Sequence, residues 1–182
     1  MNLSKEKAKT LSGELLLKLA MKGSPQSLED MLQEHSNLKR QGKFSPFDIN
    51  YQGVDGTTAL LTAAHAGRLD MVECLLLNKA KVDRVDKDGY TPLHVAAEEG
   101  HVSVVECLLL NGAEINKQEV DGFTPLHFAA QEGHLEVVKC LLQNEAKIDK
   151  KNKNGFTPFD FANEYDHREV AKMLLRHEPL KK

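Results

Sequence analysis

The sequence lacks any apolar run long enough to cross a bilayer. Its densest stretch, Leu15-Leu16-Leu17-Lys18-Leu19-Ala20, is short and broken by a lysine. Met1 to Thr10 is polar and lysine-containing, with no apolar core of the kind a signal peptide needs. Cysteine is scarce, and its three unpaired thiols point to a reducing compartment, cytosol or nucleus. Positive charge is not in excess either. A formal net charge of −3 is not the balance of a protein that grips a phosphate backbone, so no direct nucleic-acid partner is expected. There is no phosphate loop, no Gly-x-Ser-x-Gly and no pair of acids in a plausible cleft. No catalytic residue, cofactor or metal is therefore expected. The hydrophobic share, 41%, lies a little below the usual globular value, as in a thin elongated core.

What is present is repetition. Asp88-Gly89-Tyr90-Thr91-Pro92-Leu93-His94 returns as Asp121-Gly122-Phe123-Thr124-Pro125-Leu126-His127, and looser copies start at Asp55-Gly56 and Asn154-Gly155. The turn glycines fall at 56, 89, 122 and 155, every 33 residues. A fixed period of this size means a stack of one supersecondary unit.

Each unit reads as a turn and two helices. Asp-Gly supplies a tight turn. Thr91, Thr124 and Thr157 offer a side-chain oxygen to a helix start, and the prolines that follow fit the first helical position. Ala96-Ala97 and Ala129-Ala130 keep one face thin, and Gly100 and Gly133 suit the residue that ends the helix. A second helix carries Val104, Val105, Leu108 and Leu109, repeated as Val137, Val138, Leu141 and Leu142. Helices this short are marginal alone in water, so stacking on neighbours must hold them.

In its turn, Thr-Pro-Leu-His, Ala-Ala, Gly-His and Leu-Leu helix, the sequence resembles the ankyrin repeat family over nearly its whole length. The resemblance implies an all-α solenoid of helix-turn-helix units joined by projecting β-hairpin loops, about five repeats counting caps. It also implies a non-enzymatic binding module, monomeric on its own, whose partner is another protein and not a membrane.

Residues 1–11 read as a polar lead-in, either frayed or the first turn of a helix, to one domain over 12–182. Its first repeat, 12–50, carries a first helix at Leu15–Lys22, lacks Thr-Pro-Leu-His and holds an insertion at 37–47, as an N-terminal cap with one wetted face would. Central repeats follow at 53–85, 86–118 and 119–151. The first of these has Ala59 for the proline and Leu61 for the histidine. The last unit, 152–182, has Asp160 for the histidine and Asp166 for the glycine, and reads as the C-terminal cap.

Several residues are candidates for chemistry or recognition. Cys74, Cys107 and Cys140 recur at the period within second helices. Neighbouring helices lie roughly 8–10 Å apart, so these thiols neither pair nor share a metal. His94, His101, His127 and His134 read as structural hydrogen bonders, since no ligand stands at zinc spacing. Tyr90, Phe123 and Phe156 follow the turn glycines, beside Asp88 and Asp121. In the ankyrin family this place resembles those facing a concave groove. The rings either anchor a partner or cover the next repeat's turn. Glu98, Glu99, Gln131, Glu132 and Tyr165 end the first helices, where carboxylates oppose the helix dipole at a cost of about 0.3–1 kcal/mol each. Aromatic and acidic rows together suit a partner segment of basic and apolar residues. Lysines on the projecting turns, such as Lys81, Lys87 and Lys147, read as blunting exposed edges.

Phe44 and Phe47 on the insertion either form a contact surface or belong to a flap. Leu108 with Glu114-Ile115-Asn116 resembles the segment that asparagine hydroxylases accept in ankyrin repeats, and Asn50 matches only the end of that pattern; the plainer reading of Asn116 is a hydrogen bonder within its turn. Two alternatives therefore stand beside the binding module: a hydroxylase client, and an inhibitory subunit of an enzyme or transcription regulator.

Overall fold

The computed structural model describes residues 2–177. Met1 and the last five residues of the C-terminal capping repeat lie outside it. The described residues form five helix pairs. These are α1 (Asn2–Lys22) with α2 (Pro25–Arg40), α3 (Ala59–His65) with α4 (Leu69–Leu77), and α5 (Pro92–Glu98) with α6 (Val102–Leu110). Then come α7 (Pro125–Gln131) with α8 (Leu135–Gln143) and α9 (Pro158–Glu164) with α10 (Arg168–His177). The first helices α1, α3, α5, α7 and α9 stack as one row, and the second helices as another. Between the rows runs one continuous core, with Leu60, Leu75, Leu93, Leu108, Leu126, Leu141 and Leu174 all buried.

Helices α3, α5 and α9 start as their sequence dictates. Thr58, Thr91 and Thr157 sit in extended backbone, and their hydroxyls accept the amides of Leu61, His94 and Asp160. Proline at the first helical position follows in α5, α7 and α9. Leu61, in the place of the histidine, leaves α3 with the threonine cap alone, and the helix still forms.

The projecting hairpins are turns and not β-ladders, because among the described residues no strand forms. Each turn is closed by two backbone bonds: Asp86 N–H to Tyr90 C=O at 3.2 Å with Gly89 N–H to Asp86 C=O at 3.3 Å, and Glu119 N–H to Phe123 C=O with Gly122 N–H to Glu119 C=O, both at 3.0 Å. Successive turns are tied by one more: Lys87 N–H to Asp55 C=O at 3.1 Å, Val120 N–H to Asp88 C=O and Lys153 N–H to Asp121 C=O, both at 2.9 Å. One bond per junction stacks the turns without extending a ladder.

Two features of the N-terminal repeat differ from expectation. The lead-in is not separate: α1 starts at Asn2 and not at Leu15, since the Lys-, Glu- and Ala-containing stretch before Gly13 favours helix. Gly13 lies inside that helix because the ring of Tyr51 occupies the space of its missing Cβ. The expected insertion is partly helical too, as α2 runs through Arg40 before the chain turns at Gly42.

Candidate protein-binding surface

The turns and first helices together make one side of the stack, and the aromatic residues form a zigzag along it. Tyr90 lies 5.2 Å from Phe128 between ring centres, and Phe128 in turn stacks 5.2 Å from Phe123. Phe123 lies 5.0 Å from Phe161, which meets Phe156 edge-on at 5.9 Å. Phe128 and Phe161 are buried, Tyr90 and Phe123 half-buried, and Phe156 exposed. Such ring pairs are worth about 0.5–1.5 kcal/mol beyond the area they cover. The ladder thus has two parts, an internal seam of packed rings and an outer edge open to solvent.

Beside the seam stands negative charge. Glu98 is half-buried, and burial first, then the charges of Glu99 and Glu132, push its carboxyl up. His65 works the other way and pairs with Glu99 at 3.0 Å. Burial also pushes the Tyr90 phenol up to about 12, helped by Glu98, Glu119, Asp86 and Asp88. Gln131 donates to Glu132 at 3.1 Å, which holds that carboxylate near the end of α7. Tyr165 continues the row, exposed, at the end of α9. Asp88 is exposed, and Asp121 reaches Lys153 at 4.0 Å. Lys87 likewise pairs with Asp55 at 2.6 Å, so these two turn lysines bind the turn before their own.

What fixes this surface is a set of bonds between successive repeats. The Thr91 amide donates to His94 Nδ1 at 3.1 Å, so that nitrogen is the acceptor and the proton sits on Nε2. Nε2–H then donates forward to the carbonyls of Lys117 and Phe123, at 3.0 and 3.2 Å. His127 repeats the arrangement towards the Phe156 carbonyl. Burial lowers both imidazoles to about 4, so both are neutral at neutral pH. A second histidine series points backward: Nε2 of His101, His134 and His167 donates to the carbonyls of His65, Glu98 and Gln131. Two buried helix rows, Thr-Pro-Leu-His caps and this forward-and-backward bonding define one repeat architecture. A family model of ankyrin repeats in three copies matches residues 16–119 and 103–182.

The chain belongs to the ankyrin repeat family. No curated protein matches it. The 152–182 ankyrin repeat departs from the pattern at two places. Asp160 caps Thr157 through both the amide and the hydroxyl, at 2.7 Å each, as a histidine would, and has no described repeat to reach forward to. Asp166 takes the left-handed conformation of the glycine, φ 58°.

The remaining candidates fall elsewhere on the ankyrin stack. Phe47 packs at 5.4 Å on His35 and joins the core, so it is part of a docked flap. Phe44 stays exposed, with the Lys5 ammonium 5.3 Å from its ring centre. Asn50 and Asn116 each accept the backbone N–H of a residue one repeat on, Lys81 and Lys147, both at 2.7 Å. Asp83 does the same for Glu114 at 3.1 Å. Cys74, Cys107 and Cys140 are free, and burial pushes all three thiols up.

Sequence reasoning missed two periodic sets. Phe128 and Phe161 stand where the 86–118 repeat has Val95, and this change to a ring was the available signal. Asp86, Glu119 and Asn152 template the turns, each accepting two amides, as when Glu119 takes those of Asp121 and Phe123 at 2.8 and 2.7 Å. Three different residue types share that role, which hid the period.

Proposed function

We propose that the protein is a non-enzymatic adaptor or regulatory binding module of the cytosol or nucleus, monomeric on its own. On this reading it holds a partner segment of basic and apolar residues across the turns and first helices. The observation that carries it is the half-buried Glu98 carboxyl set among Glu99 and Glu132 beside the Tyr90 ring. An incoming Lys or Arg would offset that like-charge crowding, while its apolar neighbours cover the exposed edge of Phe156 and Tyr165. Because the rings and caps are fixed before binding, little order has to be created when the partner arrives.

Glu98→Gln with Glu132→Gln tests this without touching the packed rings. Affinity capture from cell lysate, read by quantitative mass spectrometry, should lose a protein that the native chain holds. Retention of the same set by both baits would overturn the reading.

A further inference from the structure

On the opposite side of the stack, α4 and α6 bound an open groove of about 700 Å³. Leu77 and Leu110 line it from equivalent places in adjacent repeats and are 79% and 88% exposed, far more than a core position allows. The scaffold does not ask for leucine there. One repeat on, the same place holds Gln143, and the next holds Arg176. The apolar pair is therefore local to the first two central repeats, where Leu76 extends it inward.

Charge beside the leucines is equally local. Glu73 and Glu106 line the same groove, and neither forms an ion pair among the described residues. One repeat on, Lys139 fills their place and pairs with Glu136, and Lys172 then pairs with Glu169. Lys79, at the rim, is the one lysine among the groove residues. The fields of Glu73 and Glu106 reach the following repeat, where after burial they are the next influence raising the thiols of Cys107 and Cys140.

We propose that the α4/α6 groove is a second protein-docking surface, distinct from the turn face, and that it takes a basic amphipathic helix of another protein. Spacing fits that occupant. Packed helices lie roughly 8–10 Å apart, and seven residues of an α-helix rise about 10.5 Å. Two apolar side chains seven residues apart would meet Leu77 and Leu110 in turn, and Lys or Arg between them would meet Glu73 and Glu106.

The test uses a labelled synthetic helix of about 16 residues, with two leucines seven residues apart and arginines between them. Fluorescence anisotropy should show saturable binding to the native chain. Leu77→Gln with Leu110→Gln should weaken it at least about tenfold, as should Glu73→Lys with Glu106→Lys. All four changes install residue types that the scaffold carries in the same places one or two repeats on, so the fold is kept, and circular dichroism checks this. Leu175→Gln, an exposed leucine outside the groove, should leave binding unchanged. The proposal is overturned by no binding of the peptide, by equal binding to the groove variants, or by equal binding of a peptide with glutamate in place of arginine. It is also overturned if sedimentation shows a dimer of the native chain that Leu110→Gln dissolves, since the occupant would then be a second copy.

Discussion

The His134 imidazole fills the space beside Gly100 where any other residue would carry its Cβ, and its Nε2 donates to the Glu98 carbonyl at 2.8 Å. Gly100 also sits at φ 77°, so the position excludes side chains twice over. Gly112 has a similar φ of 84° but open space around it. Gly112→Ala is expected to cost about 1–2 kcal/mol from backbone strain alone. Gly100→Ala should cost clearly more, because the ring must also move and its bond to Glu98 must give. Urea denaturation of the two variants measures the gap, and equal losses would show that the ring packing contributes nothing.

Stability should fall as acidity rises. His94 and His127 have native values of about 4, below their ordinary 6.5. Between those limits the unfolded chain binds protons that the native chain refuses, so lowering the pH favours unfolding. The stabilisation is complete above pH 6.5 and is lost as pH falls towards 4, by at most about 3 kcal/mol per histidine. The raised carboxyl of Glu98 acts in the opposite direction, nearer its ordinary 4.5. Denaturant titrations at pH 7, 6 and 5 should show the decline, and His94→Gln should make it shallower by about one proton.

Asn116 is expected to tolerate aspartate and not alanine. Its side chain accepts the Lys147 amide, and Asp83 already does this for Glu114 one repeat earlier. Asn116→Ala should cost about 1–2 kcal/mol by leaving that amide without its partner, while Asn116→Asp should stay close to native. Thermal melts of the two variants check the contrast.

Within the ring ladder, burial decides what each residue does. Phe128→Ala empties a place packed between Tyr90 and Phe123 and should cost about 3–5 kcal/mol. Phe156 ends the ladder, 45% exposed, and its alanine variant should lose about 1 kcal/mol or less. Chemical denaturation separates them.

The period, the helix starts and the glycine ends were legible because each follows from one residue type at a fixed place. Thr91 before Pro92 caps a helix whatever surrounds it. The ladder was half legible: Tyr90, Phe123 and Phe156 were visible, but their packing depends on Phe128 and Phe161 from the neighbouring repeats. The direction of the histidine bonds was hidden for the same reason, since His94 reaches Phe123 across 29 positions. At the N-terminus, Gly13 carried no local signal, and only the Tyr51 ring lying against it shows why glycine stands inside α1. Local chemistry writes the units, and contacts between units write the surface.

The most direct test of binding through the turn face is hydrogen–deuterium exchange on the chain with and without a captured partner. Protection is expected over residues 88–99 and 121–132, which carry the ring edges and the Glu98, Glu99 and Glu132 carboxylates. Protection confined to the second helices, with those two stretches unchanged, would contradict the account.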